Sequence, residues 1–195
     1  MSSAFVVLAL SLLLGIQPVT TDLYLPALPA LTQDLGATVA QAQLTLSGLL
    51  LAFGLSQLVW GPVSDRFGRR PVLLVGLATY VVAAVGSVLA SSMDALLVWR
   101  IAQGASMGAS VMCARAMVRD LYSPAPGARA ISKALSGLGV IACLSIPLGG
   151  VLAELFGWRV ALAALVVFGV VTRALIVLRF EETLARPDPD ALRPA

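Results

Sequence analysis

Long apolar runs separated by short polar breaks dominate this chain. No charged residue occurs before Asp22, between Asp34 and Asp65, or between Arg70 and Asp94. A helix that crosses a bilayer needs about 20 mostly apolar residues. Six stretches meet that requirement, 4–25, 40–61, 71–91, 95–118, 130–153 and 159–180, and the connections between them are short. The pattern predicts an all-α integral membrane protein, a bundle of six transmembrane helices over residues 1–184. From Thr183 the sequence turns to TLARPDPDALRPA, so residues 185–195 read as a polar tail or the start of a linker. The amino-terminal run MSSAFVVLALSLLLG has no basic n-region and no clear small-x-small cleavage site. It reads as the first span rather than as a signal peptide.

Composition agrees and excludes several classes. Hydrophobic residues make up 59% of the chain and charged residues 12%, against roughly 25% charged in a soluble domain. The lipid bilayer is therefore its first partner. The net charge of +3 comes without any basic run interleaved with aromatics, which argues against nucleic acid. Cys113 and Cys143 lie inside apolar runs and histidine is absent, so neither a disulfide framework nor a metal site is indicated. No cofactor is expected. A Ser/His/Asp set is impossible and no glycine loop for phosphate follows a strand, so the chain does not read as an enzyme.

The basic residues report topology instead. Arg66, Arg69 and Arg70 follow the second span, Arg119, Arg129 and Lys133 surround the break after the fourth, and Arg173, Arg179, Arg186 and Arg193 fall on the last span and the tail. The other side has Asp34, Asp94 and Glu154 with only Arg159, while Arg100 and Arg115 lie within the fourth span. The excess of arginine marks the cytoplasmic face, which puts both termini there.

The most distinctive polar segment is GPVSDRFGRR, residues 61–70, which reads as a ten-residue turn with Pro62 and Pro71 at helix ends. Set over GVLAELFGWR, residues 150–159, it matches at Gly61/Gly150, Asp65/Glu154, Phe67/Phe156, Gly68/Gly157 and Arg70/Arg159, an offset of 89 residues. Either three helices are repeated here in inverted orientation, a 3+3 repeat, or the pattern simply ends a helix twice.

Charges inside apolar runs are the candidate transport groups, because an ionisable group at membrane depth costs about 2.5–3.5 kcal/mol on insertion scales. Asp22 lies near the outer end of span 1, and Arg100 about one and a half turns into span 4 from the same side, so their depths suit a pair. Such a pair would let the arginine bias the acidity of an aspartate that takes up and releases protons. The alternative is that Asp22 already lies in the interface. Arg115 projects within about 20° of Arg100, some 22 Å further along, and either contacts substrate or snorkels to the inner surface with Arg119.

These segments carry a family resemblance. Residues 61–70, with Gly61, Asp65, Arg66, Gly68, Arg69 and Arg70, resemble motif A of the major facilitator superfamily. Arg100, Gln103 and Gly104 resemble motif B of its proton-coupled exporters, and Gly104 with Gly108 also forms a small-xxx-small face. Gly137, Gly139, Pro147, Gly149 and Gly150 resemble the antiporter signature, motif C, although Pro147 stands one residue before Gly149 where that pattern has two. These glycines could equally serve generic helix packing. DLYLPALPAL at 22–31 and ARAMVRDLY at 114–122, with motif A and RIAQG, look like the Bcr/CflA group of drug-resistance exporters.

The resemblance implies proton-driven antiport of a small molecule by alternating access in a bacterial inner membrane. It also implies that Asp65, Arg69 and Asp120 gate the inner mouth, with exposed loop charges paired by chance as the alternative. Exporters of this group have two six-helix halves, and this chain reads as the N-terminal one. It is then a fragment of a longer product, a half that pairs with a separate partner, or a homodimer. A non-transporting membrane subunit or remnant and a proton-coupled uptake carrier are the competing functions.

Overall fold

A computed structural model describes residues 3–184, so the tail expected at 185–195 lies outside the described residues. The helices are α1 (Ser3–Asp22), α2 (Leu28–Asp34), α3 (Val39–Phe67), α4 (Arg69–Val88), α5 (Met93–Leu121), α6 (Pro124–Phe156) and α7 (Trp158–Arg179). No strand occurs among the described residues. A 3-10 turn over Leu25–Ala27 joins α1 to the short α2, because Pro26 and Pro29 each sit at the start of a helical turn, where a missing N–H costs nothing. Thr38 opens α3 with a capping box: its hydroxyl accepts from the Gln41 N–H at 3.2 Å and the Gln41 amide oxygen accepts from the Thr38 N–H at 2.9 Å. The Ser92 hydroxyl caps α5 through the Ala95 N–H at 3.2 Å.

The segment 61–70 is not a ten-residue turn. α3 runs on through Pro62 to Phe67, and Gly68 alone, at φ 97°, reverses the chain into α4. Pro62 forfeits one backbone hydrogen bond, which a membrane helix tolerates when neighbouring groups compensate. Pro71 stands in the first turn of α4, where amides have no intrahelical acceptor. At the opposite end Gly157 repeats the device between α6 and α7 at φ 88°. In both places the glycine N–H reaches back four residues, to the carbonyl of Ser64 and of Ala153, each at 3.1 Å. The offset of 89 residues is thus a repeat of backbone geometry as well as of letters.

Packing follows the same repeat. α3 lies along α5, and its counterpart α6 lies along α1, while α4 and α7 pair with each other. Lipid offers no hydrophobic drive to hold helices together, so close approach of backbones must supply much of the cohesion. A side chain at Gly104 would collide with the Leu49 carbonyl of α3, and one at Gly149 with the Leu23 carbonyl beyond α1. Five of the helical segments are long and apolar enough to cross a membrane. The sixth long helix, α5, is too polar by composition. It is the central element, and it buries Arg100, Gln103, Ser106 and Ser110 against its neighbours. By contrast α3 and α6 are left mostly uncovered, presenting Leu51, Leu58, Leu144 and Leu155 outward.

Candidate functional site

At the Gly68 end of the bundle, three elements converge on one arginine. The single-residue turn places Arg69 at the first position of α4, where α3 and the end of α5 meet it, and only 1% of the residue is exposed. Its Nη2 lies 2.6 Å from Asp65 Oδ1, its Nε 3.0 Å from Asp120 Oδ2, and its Nη1 donates to Ser64 Oγ at 2.7 Å. Arg119 adds a longer contact to Asp65 at 3.8 Å. The cluster expected of Asp65, Arg69 and Asp120 therefore forms, and a buried cation with all three arms engaged is not a chance surface pair. Arg66 is not in it: that side chain is exposed over the Phe67 ring at 5.5 Å.

Glu182, just past α7, completes the arrangement. Its carboxylate accepts from the backbone N–H of Arg69 at 2.9 Å and of Arg70 at 3.0 Å, capping α4 where the helix dipole favours an anion. The Thr183 and Leu184 amides also donate to it, at 2.9 and 3.0 Å. Partial burial pushes the Glu182 carboxyl up, but these four N–H groups outweigh it and hold the group below the usual range. Nothing in the sequence singles out Glu182 from Glu181, since the contact depends on the last turn of α7 ending beside α4. Arg115 lines a cavity of about 160 Å³ beside this cluster, together with Arg69, Asp65 and Arg119. It is exposed beside that cavity, well away from Arg100.

Arg100 is completely buried. Its partners are neutral: Nη1 donates to Gln103 Oε1 at 3.0 Å, Nη2 to the Thr20 carbonyl at 3.3 Å, and the guanidinium lies 3.8 Å from the centroid of the Tyr24 ring. Tyr24 is fixed by a 2.7 Å hydrogen bond with Thr45, and Thr20 by one of 2.7 Å with Tyr80. The depth expected for Arg100 relative to α1 is correct, but the ion pair with Asp22 does not form. Thr20 and Tyr24 are four residues apart and share the face turned to α5, whereas Asp22, two residues from Thr20, points about 200° away. Asp22 is half-buried and accepts from the Thr21 hydroxyl at 2.9 Å. Tyr24, Thr20 and Tyr80 bear no charge that marks them in the sequence, and only the four-residue spacing of Thr20 and Tyr24 signals that those two share a face.

The glycines divide. Gly104 and Gly108 pack tightly on α3, against Leu49 and Ser56, so the small-xxx-small face is real. Of the residues resembling motif C, Gly137 meets Ser11 and Gly149 meets Leu23, and Pro147 lies inside α6. Gly139 has nothing within 4 Å and Gly150 only Pro26 at 3.9 Å, so neither is needed for close packing. Gly61 sits within α3, its Cβ position 3.4 Å from Met112.

The opposite end holds a counterpart to the Arg69 cluster. Under the repeat, Arg69 corresponds to Trp158 and Arg70 to Arg159. Trp158 Nε1 and Arg159 Nη1 both donate to Asp34 Oδ2, each at 2.9 Å, and the Arg159 guanidinium lies 4.1 Å from the Trp158 centroid. At each end, residues directly after a glycine turn hold a carboxylate from another element. The difference is burial: Arg159 and Asp34 are 48% and 49% exposed, against 2% for the Arg69 side chain.

Comparisons with known proteins agree with this architecture. Residues 10–195 match the family model described as Major Facilitator Superfamily. A "Chloramphenicol resistance protein" of Pseudomonas aeruginosa is 39% identical over 160 residues, covering 82% of this chain and 38% of that protein. "Multidrug resistance protein D" of Escherichia coli is 35% identical over 152 residues, 78% of this chain and 39% of the relative. The crystal structure of the human organic anion transporter MFSD10 (TETRAN) superposes with a TM-score of 0.72 at 25% identity, over 98% of this chain and 51% of that one. The chain thus spans about two fifths to one half of the length of these relatives. Six long helices in a 3+3 inverted repeat, the buried arginine after Gly68, and a family match that covers nearly every residue lead to one assignment: the chain belongs to the major facilitator superfamily, membrane transporters rather than enzymes, and carries one half of their fold.

Proposed function

We propose that the chain is the N-terminal half of a proton-coupled exporter of small drug-like molecules in a bacterial inner membrane, working by alternating access with both termini in the cytoplasm. The observation that carries this reading is Arg100, a permanent charge completely buried and held only by neutral groups. A cation kept in the bundle at this cost points to function. Asp22, half-buried on another face of α1 with the Thr21 hydroxyl as its bonded partner, is the acidic group this reading assigns to proton coupling. Gln103 orients Arg100, and Arg115 lines the mouth through which substrate would pass. The relatives named for chloramphenicol and multidrug resistance support drug-like cargo. The arginine-rich Gly68 end supports a cytoplasmic placement.

In this reading the Asp65–Arg69–Asp120 cluster holds the inner mouth closed until α3, α4 and α5 shift. The uncovered apolar faces of α3 and α6 supply one wall of the cavity, and a second six-helix half supplies the other. The test is Asp22→Asn in the chain assembled with its second half in proteoliposomes. Uphill drug transport driven by a pH gradient should disappear while energy-independent drug exchange persists. Full gradient-driven transport by the variant would refute the coupling role, and loss of exchange as well would point to a structural one.

A further inference from the structure

The seam between α4 and α7 carries a feature that the transport reading does not use. Ala78, Val81 and Val82 of α4, with Val170, Arg173 and Ala174 of α7, line an apolar groove of about 300 Å³. Its polar end is Arg173, an exposed side chain with no hydrogen bond or ion pair among the described residues. Arg173 lies six residues before Arg179, about 9 Å inside the end of the helix. An uncompensated guanidinium at that depth needs an anion or a path to water.

A second unsatisfied cation shares the seam. Arg70 donates from Nη2 to the carbonyl of Val177 at 3.2 Å, one turn along α7 from Arg173, while its Nε is buried with no acceptor. The nearby Glu182 carboxylate is already taken by four backbone amides. Two guanidiniums with spare donors therefore stand at the mouth of a hydrocarbon-lined groove. We infer that this groove binds an anionic phospholipid, its phosphodiester between Arg173 and Arg70 and one acyl chain along Ala78, Val82 and Val170. The charge selects an anionic headgroup, and the groove selects a molecule with a tail.

The experiment is native mass spectrometry of the full chain, released from micelles supplied with equal phosphatidylglycerol and phosphatidylcholine. The wild type should retain phosphatidylglycerol preferentially, by about fivefold per engaged arginine. Arg173→Gln should lose about fivefold, Arg173→Lys should keep most of the preference, and Ala78→Trp should reduce retention with the charge intact. Arg159→Gln, at the other end, should change nothing. Equal retention of the two lipids, unchanged retention in Arg173→Gln or Ala78→Trp, or displacement by inorganic phosphate alone would overturn the site. So would cross-linking of two copies through Ala78→Cys, which would make a second chain the occupant.

Discussion

Arg69 and Arg159 offer a controlled comparison, because the repeat places two arginines beside equivalent glycine turns while only one is buried. Truncating Arg69 to alanine strands Asp120, whose side chain is 14% exposed, and leaves Asp65 with Arg119 at 3.8 Å. Breaking a buried pair by removing one partner costs about 3–5 kcal/mol. Asp65 is 40% exposed, so its share falls toward the surface range of about 0–1 kcal/mol. The expected loss for Arg69→Ala is about 3 kcal/mol, on the order of a hundredfold in the folding equilibrium. Arg159→Ala removes a half-exposed pair and an exposed stacking contact, each worth about 1 kcal/mol or less. The measurement is SDS titration of both variants in mixed micelles, followed by far-UV circular dichroism, which does not depend on Trp158, with refolding on dilution as the check of reversibility. If the cost of Arg69→Ala lies in the stranded carboxylate, adding Asp120→Asn should recover about 1–2 kcal/mol. Equal losses for the two arginines, or no recovery in the double variant, would refute the assignment of Arg69 as a buried electrostatic tie.

Two further outcomes follow from the geometry. Gly104→Ala should destabilise by about 1–3 kcal/mol through overpacking on the Leu49 carbonyl, whereas Gly54→Ala and Gly139→Ala meet nothing within 4 Å and should gain about 0.5–1 kcal/mol as interior helix positions. Size-exclusion profiles after graded heating would rank the three, and a tolerant Gly104 would contradict the close α3–α5 approach. Glu182 has its carboxyl depressed in the folded state, so its contribution is present above the unfolded value of about 4.3 and is lost as pH falls through the folded one. The gap in melting temperature between wild type and Glu182→Gln should therefore be open at neutral pH and close under acid, and a gap that widens on acidification would reverse the sign.

The six apolar runs, the arginine asymmetry and the repeat at offset 89 were legible because each is a pattern of residue types along one dimension. Asp65 and Arg69 were legible through a motif with fixed spacing, whereas Asp120 was joined to them only through what the family resemblance implies. What the sequence hid depends on azimuth and on where helices end. Asp22 and Arg100 sit at suitable depths but on unmatched faces, so counting residues suggested a pair that rotation forbids. Pro62 looked like a terminator because proline disfavours helix interiors, yet α3 continues past it to Gly68. Glu182 acquires its role only because α7 delivers it to the first amides of α4.

The two one-residue reversals leave no slack. Where Gly68 and Gly157 join long helices directly, neither hairpin has a loop in which to absorb inserted length. An inserted epitope, protease site or fluorescent reporter at either reversal would part the two helices it joins and disturb the glycine N–H bonds to Ser64 and Ala153. Gly36, exposed between α2 and the Thr38 cap with nothing within 4 Å of its Cβ position, is the better place for added sequence.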